Sequence, residues 1–238
     1  PQRPNNMSEA LEKLGDLRLL PIFPLPLVLM PYELLPLHIF EPKYRQMLDD
    51  VQNSNGFFGI TMFDPEEGFE DRPAAGSTGC VAEIREVQTL EDGRSNILTM
   101  GVARYRLLEY VDEGTPYLMA EIGVFEDDSE AGPEVAARAD EAFSLFERVA
   151  KAAYKLGGGR GRLPEIPRAE PEQLSFLIAA AFNLENEVKY EMLEERSTAA
   201  RFERLSAILK QSVDQMEENA EIFRVAQTNG HGKKKIDV

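Results

Sequence analysis

Residues 19–48 read L-L-P-I-F-P-L-P-L-V-L-M-P-Y-E-L-L-P-L-H-I-F-E-P-K-Y-R-Q-M-L. Prolines at 21, 24, 26, 31 and 36 each remove a backbone donor and fix φ, so no helix runs through them, while the aliphatic residues between them demand burial. The pattern predicts two extended segments at a sheet edge, joined by a turn at Tyr32-Glu33-Leu34-Leu35. At Glu41-Pro42 the chemistry changes. Proline suits a first helical turn, and Tyr44, Met47, Leu48 and Val51 then fall on one helical face. The unit is strand, turn, strand and a short amphipathic helix folded back on the strands.

This stretch resembles the opening of the N-terminal domain of Lon proteases, a substrate-recognition module that also occurs apart from the rest of Lon. The resemblance is carried by Leu20-Pro21-Ile22-Phe23-Pro24-Leu25, by Pro31, and above all by Pro36-Leu37-His38-Ile39-Phe40-Glu41-Pro42-Lys43-Tyr44-Arg45 with Met47 after it. Where that family usually places a small residue such as glycine in the turn, this chain has Tyr32-Glu33. The resemblance implies an α+β fold, a small PUA-like β-barrel followed by a helical bundle that ends in a long helix.

Outward from this unit, the chain divides by composition. Residues 1–18 are polar and read as a loose lead-in. Residues 19–126 carry the strands. Asn53-Ser54-Asn55-Gly56 stops the first helix, residues 57–63 read as a strand, and residues 64–79 form an acidic loop. Residues 79–90 alternate as a further strand, with Cys80, Ala82, Ile84 and Glu86 on one side and Val81, Glu83, Arg85 and Val87 on the other. Glu91-Asp92-Gly93-Arg94 turns the chain back into residues 96–110, and residues 117–125 add one more strand.

An acidic run at Glu126-Asp127-Asp128-Ser129-Glu130 marks the passage to a helical part over 132–224. Gly132-Pro133 opens its first helix, which the glycine run 157–161 ends; a connector is the better reading of that run, because Leu163-Pro164 rather than a helix follows it. Pro171 opens a helix resembling the first short one of Lon N-terminal domains. A second short helix and a long one over 198–223 follow, the latter with Phe202, Leu205, Leu209 and Val213 along its seam. Residues 225–238, with Lys233-Lys234-Lys235, read as a disordered tail.

Hydrophobic residues make up 43% and charged residues 29% of the 238, which suits a globular chain with real cores. No apolar run is long enough to span a bilayer, and residues 19–30 lack the basic start of an export signal, so a cytoplasmic setting is expected. The single cysteine, Cys80, fits a buried hydrophobe in a reducing compartment. A net charge of −16 weighs against general nucleic-acid binding.

Catalysis has no visible seat. A phosphate-binding G-x-x-x-x-G-K-[ST] string is absent, and the chain stops where the ATPase of Lon would begin, so the ATPase and Ser-Lys peptidase are not expected. Two histidines, His38 and His231, do not make a zinc site; neither metal nor cofactor is implied. His38 reads as a structural hydrogen-bonding residue facing away from Leu37 and Ile39, and Glu66-Glu67 and Glu194-Glu195 as solvated faces. The leading expectation is a non-enzymatic module for unfolded or specific protein partners, an adaptor in protein quality control. Tyr32, Leu34 and Leu35 are the candidate contact residues; the competing reading packs the two leucines inward. RNA binding through Arg104, Tyr105 and Arg106 is the alternative, since PUA-like barrels also serve that purpose, and a cryptic hydrolase is disfavoured.

Overall fold

A computed structural model describes residues 14, 15, 17–64, 71–129, 132–156, 168–182 and 184–229, with the backbone alone at 155, 156 and 217–229. The glycine run 157–161, the lysines of 233–235 and most of the lead-in lie outside the described residues.

The proline-studded opening forms β1 (Leu19–Leu25) and β2 (Leu34–Ile39), and Glu41-Pro42 opens α1 (Pro42–Gln52) with the proline in its first turn. Then come β3 (Phe57–Met62), β4 (Thr78–Thr89), β5 (Ser95–Val111) and β6 (Leu118–Phe125). They make one mixed sheet in the order β2-β5-β4-β3-β1-β6, with β1 parallel to β3 and the other pairs antiparallel. The 17-residue β5 is long enough to serve twice: its first half pairs with β2, and its second half with β6. The circuit β5-β4-β3-β1-β6 therefore returns to its start, and β2 is left outside it as an edge strand.

Each strand of that circuit sends side chains into one cluster, among them Leu20, Ile22, Phe57, Val81, Tyr105 and Ile122. Tyr105, with no exposure, lies against Gly59 and Gly79, where any Cβ would overlap its phenol, and its hydroxyl is 2.5 Å from Thr61 Oγ1. The opposite face of the sheet is covered by α1, whose Met47, Leu48 and Val51 meet Phe23, Phe58 and Ile97. Leu14 and Leu17 join the first cluster, so the end of the lead-in is packed rather than loose; two leucines three residues apart fill a gap beside β1 and β6.

The helical half consists of α2 (Pro133–Leu156), α3 (Pro171–Ala181), α4 (Asn186–Glu194) and α5 (Thr198–Asn229). Phe143, Phe176, Phe202 and Leu205 form its core, and Val28 and Met30 of the β1–β2 connection enter the same core. α5 runs past the expected end at 223 to Asn229, because no glycine or proline interrupts it before Gly230; residues 225–229 are thus helix, not tail.

One position shows how tightly the opening is seated. A Cβ at Gly101 would overlap the Met30 carbonyl and crowd Cys80 Sγ at 3.0 Å. Gly101→Ala is expected to cost on the order of 2–4 kcal/mol, because backbone rather than a side chain must move; thermal unfolding checks it, and a melting point equal to that of the parent would refute the contact.

Candidate functional site

Strand β2 alternates strictly. Leu35, Leu37 and Ile39 turn inward to the α1 cluster, while Leu34, Pro36 and His38 face out. Residues directly opposite share a face, so Leu34 sits beside Met100 and Pro36 beside Leu98 on β5. These four make an apolar strip, with Leu34 57% exposed and Phe40, just beyond the strand, 58% exposed. Large side chains of this kind are more often covered in a monomer; here Leu34 and Phe40 stay more than half exposed, Phe40 with the His38 ring beside it, while Leu98 and Met100 are half-buried. His38 bounds the strip: its Nδ1 donates to Asn96 Oδ1 at 2.7 Å and its ring stacks on Phe40 at 6.0 Å, the structural role its placement suggested.

On the other flank of β5 the alternation expected for residues 79–90 holds through Ile84, with Cys80, Ala82 and Ile84 on one face, and then fails for Glu86 and Val87. Between Val81 and Ala82 the extra residue is Val102 of β5, whereas between Ile84 and Glu86 it is Arg85 of β4, and this second shift re-aims the β4 side chains that follow. Glu83 is opposite Met100 and Glu86 opposite Leu98, so both glutamates share the face of the apolar strip, while Ile84 and Val87 turn in toward the α1 cluster. Arg85 reaches Glu83 at 2.7 Å and Met100 Sδ at 3.6 Å.

The turn ahead of Leu34 is held by unusual means. Tyr32 has φ 66°, a left-handed conformation that glycine adopts at lower cost. Its N–H donates to the Gly101 carbonyl at 2.8 Å, and the Gly101 N–H donates to Glu33 at 3.0 Å. The Glu33 carboxylate accepts from Met30 N–H at 2.8 Å and pairs with Lys189 of α4 at 3.0 Å, nearly out of solvent. The Tyr32 ring packs against the helical core, and its burial, with Glu172 nearby, raises its pKa. Of the three candidate contact residues, then, Leu34 is presented, Leu35 supports it from below, and Tyr32 anchors the turn.

The residues of the RNA alternative lie elsewhere. Tyr105 is in the sheet core, and Arg104 is buried in a polar seam between the two halves of the molecule. Arg104 donates to the carbonyls of Leu193 at 3.0 Å and Glu195 at 2.7 Å and pairs with the Asp127 carboxylate. Arg201 of α5 binds the same carboxylate and the Glu195 carbonyl, donates to Ser175 Oγ at 3.0 Å, and lies over the Phe176 ring at 4.1 Å. Arg106 is half-exposed and paired with Glu194 at 2.8 Å, which also accepts from Thr78. Glu194 is thus a seam residue rather than a purely solvated one. Burial is the main influence lowering Arg104, which Asp127 opposes; burial, seconded by Asp127, raises Glu172 above the usual carboxylate range.

Sequence reasoning missed Asp127 and Arg201. Asp127 sits in an acidic run that reads as a solvated joint, and Arg201 on a helix crowded with charges; no local signal separates either from its neighbours.

The described residues hold no group of three His, Cys, Asp or Glu that could bind a metal ion, and burial pushes the Cys80 thiol up to about 12, so it stays protonated at ordinary pH. No helix among them is long and apolar enough to cross a membrane. The fold is a domain of one mixed sheet and a helical half, with the apolar strip at its β2 edge.

That domain has known relatives. Residues 19–211 match the model of the ATP-dependent protease La (LON) substrate-binding domain, and the chain belongs to that family. The Lon protease of Desulforamulus reducens is 25% identical over 212 residues, which are 85% of this chain and 25% of that protein. Lon protease 2 of Syntrophobacter fumaroxidans is 28% identical over 204 residues, 84% of this chain and 25% of that one. The chain therefore spans about a quarter of the length of these curated relatives. Among solved structures, the N-terminal domain of Mycobacterium avium complex Lon protease superposes with a TM-score of 0.60 at 20% identity, over 81% of this chain and 98% of that one. A Lon N-terminal domain protein from Xanthomonas campestris gives 0.57 at 23%, over 79% and 97%. The matched part of Lon is, by its description, the substrate-binding domain.

Two outcomes test the seam. Asp127→Ala leaves two buried guanidinium groups facing each other and is expected to cost about 3–5 kcal/mol, measured by denaturant unfolding. Glu172→Gln is expected to act the other way. A carboxyl whose pKa is raised on folding loses stability as pH climbs through that raised value, so the variant melts above the parent near neutral pH and level with it below about pH 4. A melting-temperature series against pH reads the difference, and a constant offset at every pH would contradict the assignment.

Proposed function

We propose that this chain is a substrate-recognition module that holds unfolded or loosely folded protein segments on the outward face of β2 and β5, and that it works as an adaptor in protein quality control without chemistry of its own. Membership in the substrate-binding family supports a protein substrate. The observation that carries the placement is the strip of Leu34, Pro36, Leu98 and Met100 on a strand at the sheet's edge. In this reading the closed circuit of strands is a PUA-like barrel that acts as a rigid frame, with β2 the surface it displays. Leu34 makes contact, while Leu35 and Tyr32 keep it in place.

RNA binding draws less support, since Arg104 and Tyr105 are buried and Arg106 is paired.

The test uses a fluorescently labelled, reduced and alkylated polypeptide that cannot fold. Leu34→Ser with Leu98→Ser is expected to weaken its binding at least about tenfold, roughly the worth of one buried aliphatic contact, with a melting point shifted by less than about 2 °C. Unchanged affinity would defeat the proposal. Tyr32→Ser, by contrast, is expected to lower the melting point through lost packing against the helical core.

A further inference from the structure

The outward face of the sheet has an order beyond its apolar strip. Across β2, β5 and β4, one row runs Leu34, Met100, Glu83 and the next runs Pro36, Leu98, Glu86. Both rows are therefore apolar, apolar, acidic in the same direction. Strands in a sheet are about 4.8 Å apart, so each row carries a carboxylate roughly 10 Å from the β2 edge. The repetition depends on the register shift beside Arg85, which returns Glu86 to the face that Glu83 occupies. Arg85 neutralises Glu83 at 2.7 Å, and the exposed Glu86 supplies the charge of the second row.

We infer that this face selects extended polypeptide segments in which apolar residues are followed, at strand spacing, by lysine or arginine. The inference rests on the proposed binding of unfolded segments and names which of them are held. An extended segment laid across the strands advances about 6.6 Å for every second residue, so two apolar side chains over a row leave the next side chain on that face near the carboxylate. Its cation then meets Glu86 while its apolar atoms cover Leu98 and Pro36. Charge complementarity decides the occupant. With a net charge of −16, a second copy of this chain meets like charge and a nucleic acid meets more of it, whereas a cationic segment is drawn in and oriented.

Two labelled peptides of about twelve residues, long enough to cross the three strands, carry the test: one repeats leucine-serine-leucine-serine-lysine-serine, so that two leucines and then a lysine share one face, and the other has glutamate in place of lysine. The protein is expected to bind the lysine peptide about tenfold more tightly at low salt, with the ratio shrinking as salt screens the pair. Glu86→Gln is expected to remove most of the ratio and Glu86→Lys to reverse it, each leaving the melting point in place because the side chain is exposed. Equal binding of both peptides by the parent protein would overturn the selectivity while leaving the binding face intact. A ratio that Glu86→Lys does not alter would overturn the role of the row. Binding of neither peptide, nor of the unfolded polypeptide above, would remove the face itself.

Discussion

One carboxylate holds the two halves of this molecule together. Asp127 follows β6 and is shared by Arg104 from the middle of β5 and Arg201 from the first turn of α5, all three nearly without solvent. Two cations are tolerated there because every donor has somewhere to point: the carboxylate, the carbonyls that α4 leaves open at Leu193 and Glu195, Ser175 and Thr198. The last turn of one helix and the first turn of the next thereby find partners in a strand of the other half. Aromatic faces of Phe125 and Phe176 cover the guanidinium planes and keep water away.

That seam sets the position of everything on the opposite edge. α4 lies against β4, and Lys189, on the same helix, reaches Glu33 in the turn before β2. Asn186 donates to the Pro26 carbonyl at 3.0 Å, and Val28 and Met30 are buried among the helices. The β1–β2 connection is thus pinned from both sides, and Tyr32 keeps a conformation that costs about 1 kcal/mol or more because its ring is packed in return. The reward is a rigid turn that delivers Leu34 to the surface. In the proposed function this matters, because an exposed leucine held on an edge strand would lose little further freedom on binding a partner.

The molecule also manages the hazard that an apolar edge creates. Pro36 removes one backbone donor midway along β2, and bulges twist β4 and β5 at several points. A net charge of −16 adds like-charge repulsion between copies. The edge is therefore poorly suited to open-ended strand pairing.

Much of this was legible from residues alone. Prolines at 21, 24, 26, 31 and 36 dictated strands, Glu41-Pro42 dictated a helix start, and the order of residues 36–45 pointed to the family, because these are local signals written in backbone sterics and period. That His38 faces away from Leu37 and Ile39 follows from alternation by itself. The remainder depended on partners distant in sequence. Asp127 and Arg201 are ordinary charges until the fold pairs them in the seam, and Glu86 points where it does only because Ile84 to Glu86 shifts register against β5. Whether Leu34 was core or surface was likewise undecidable from period, since alternation sends Leu34 and Leu35 to opposite faces without saying which is covered; only the packing of α1 against the Leu35 face decided it.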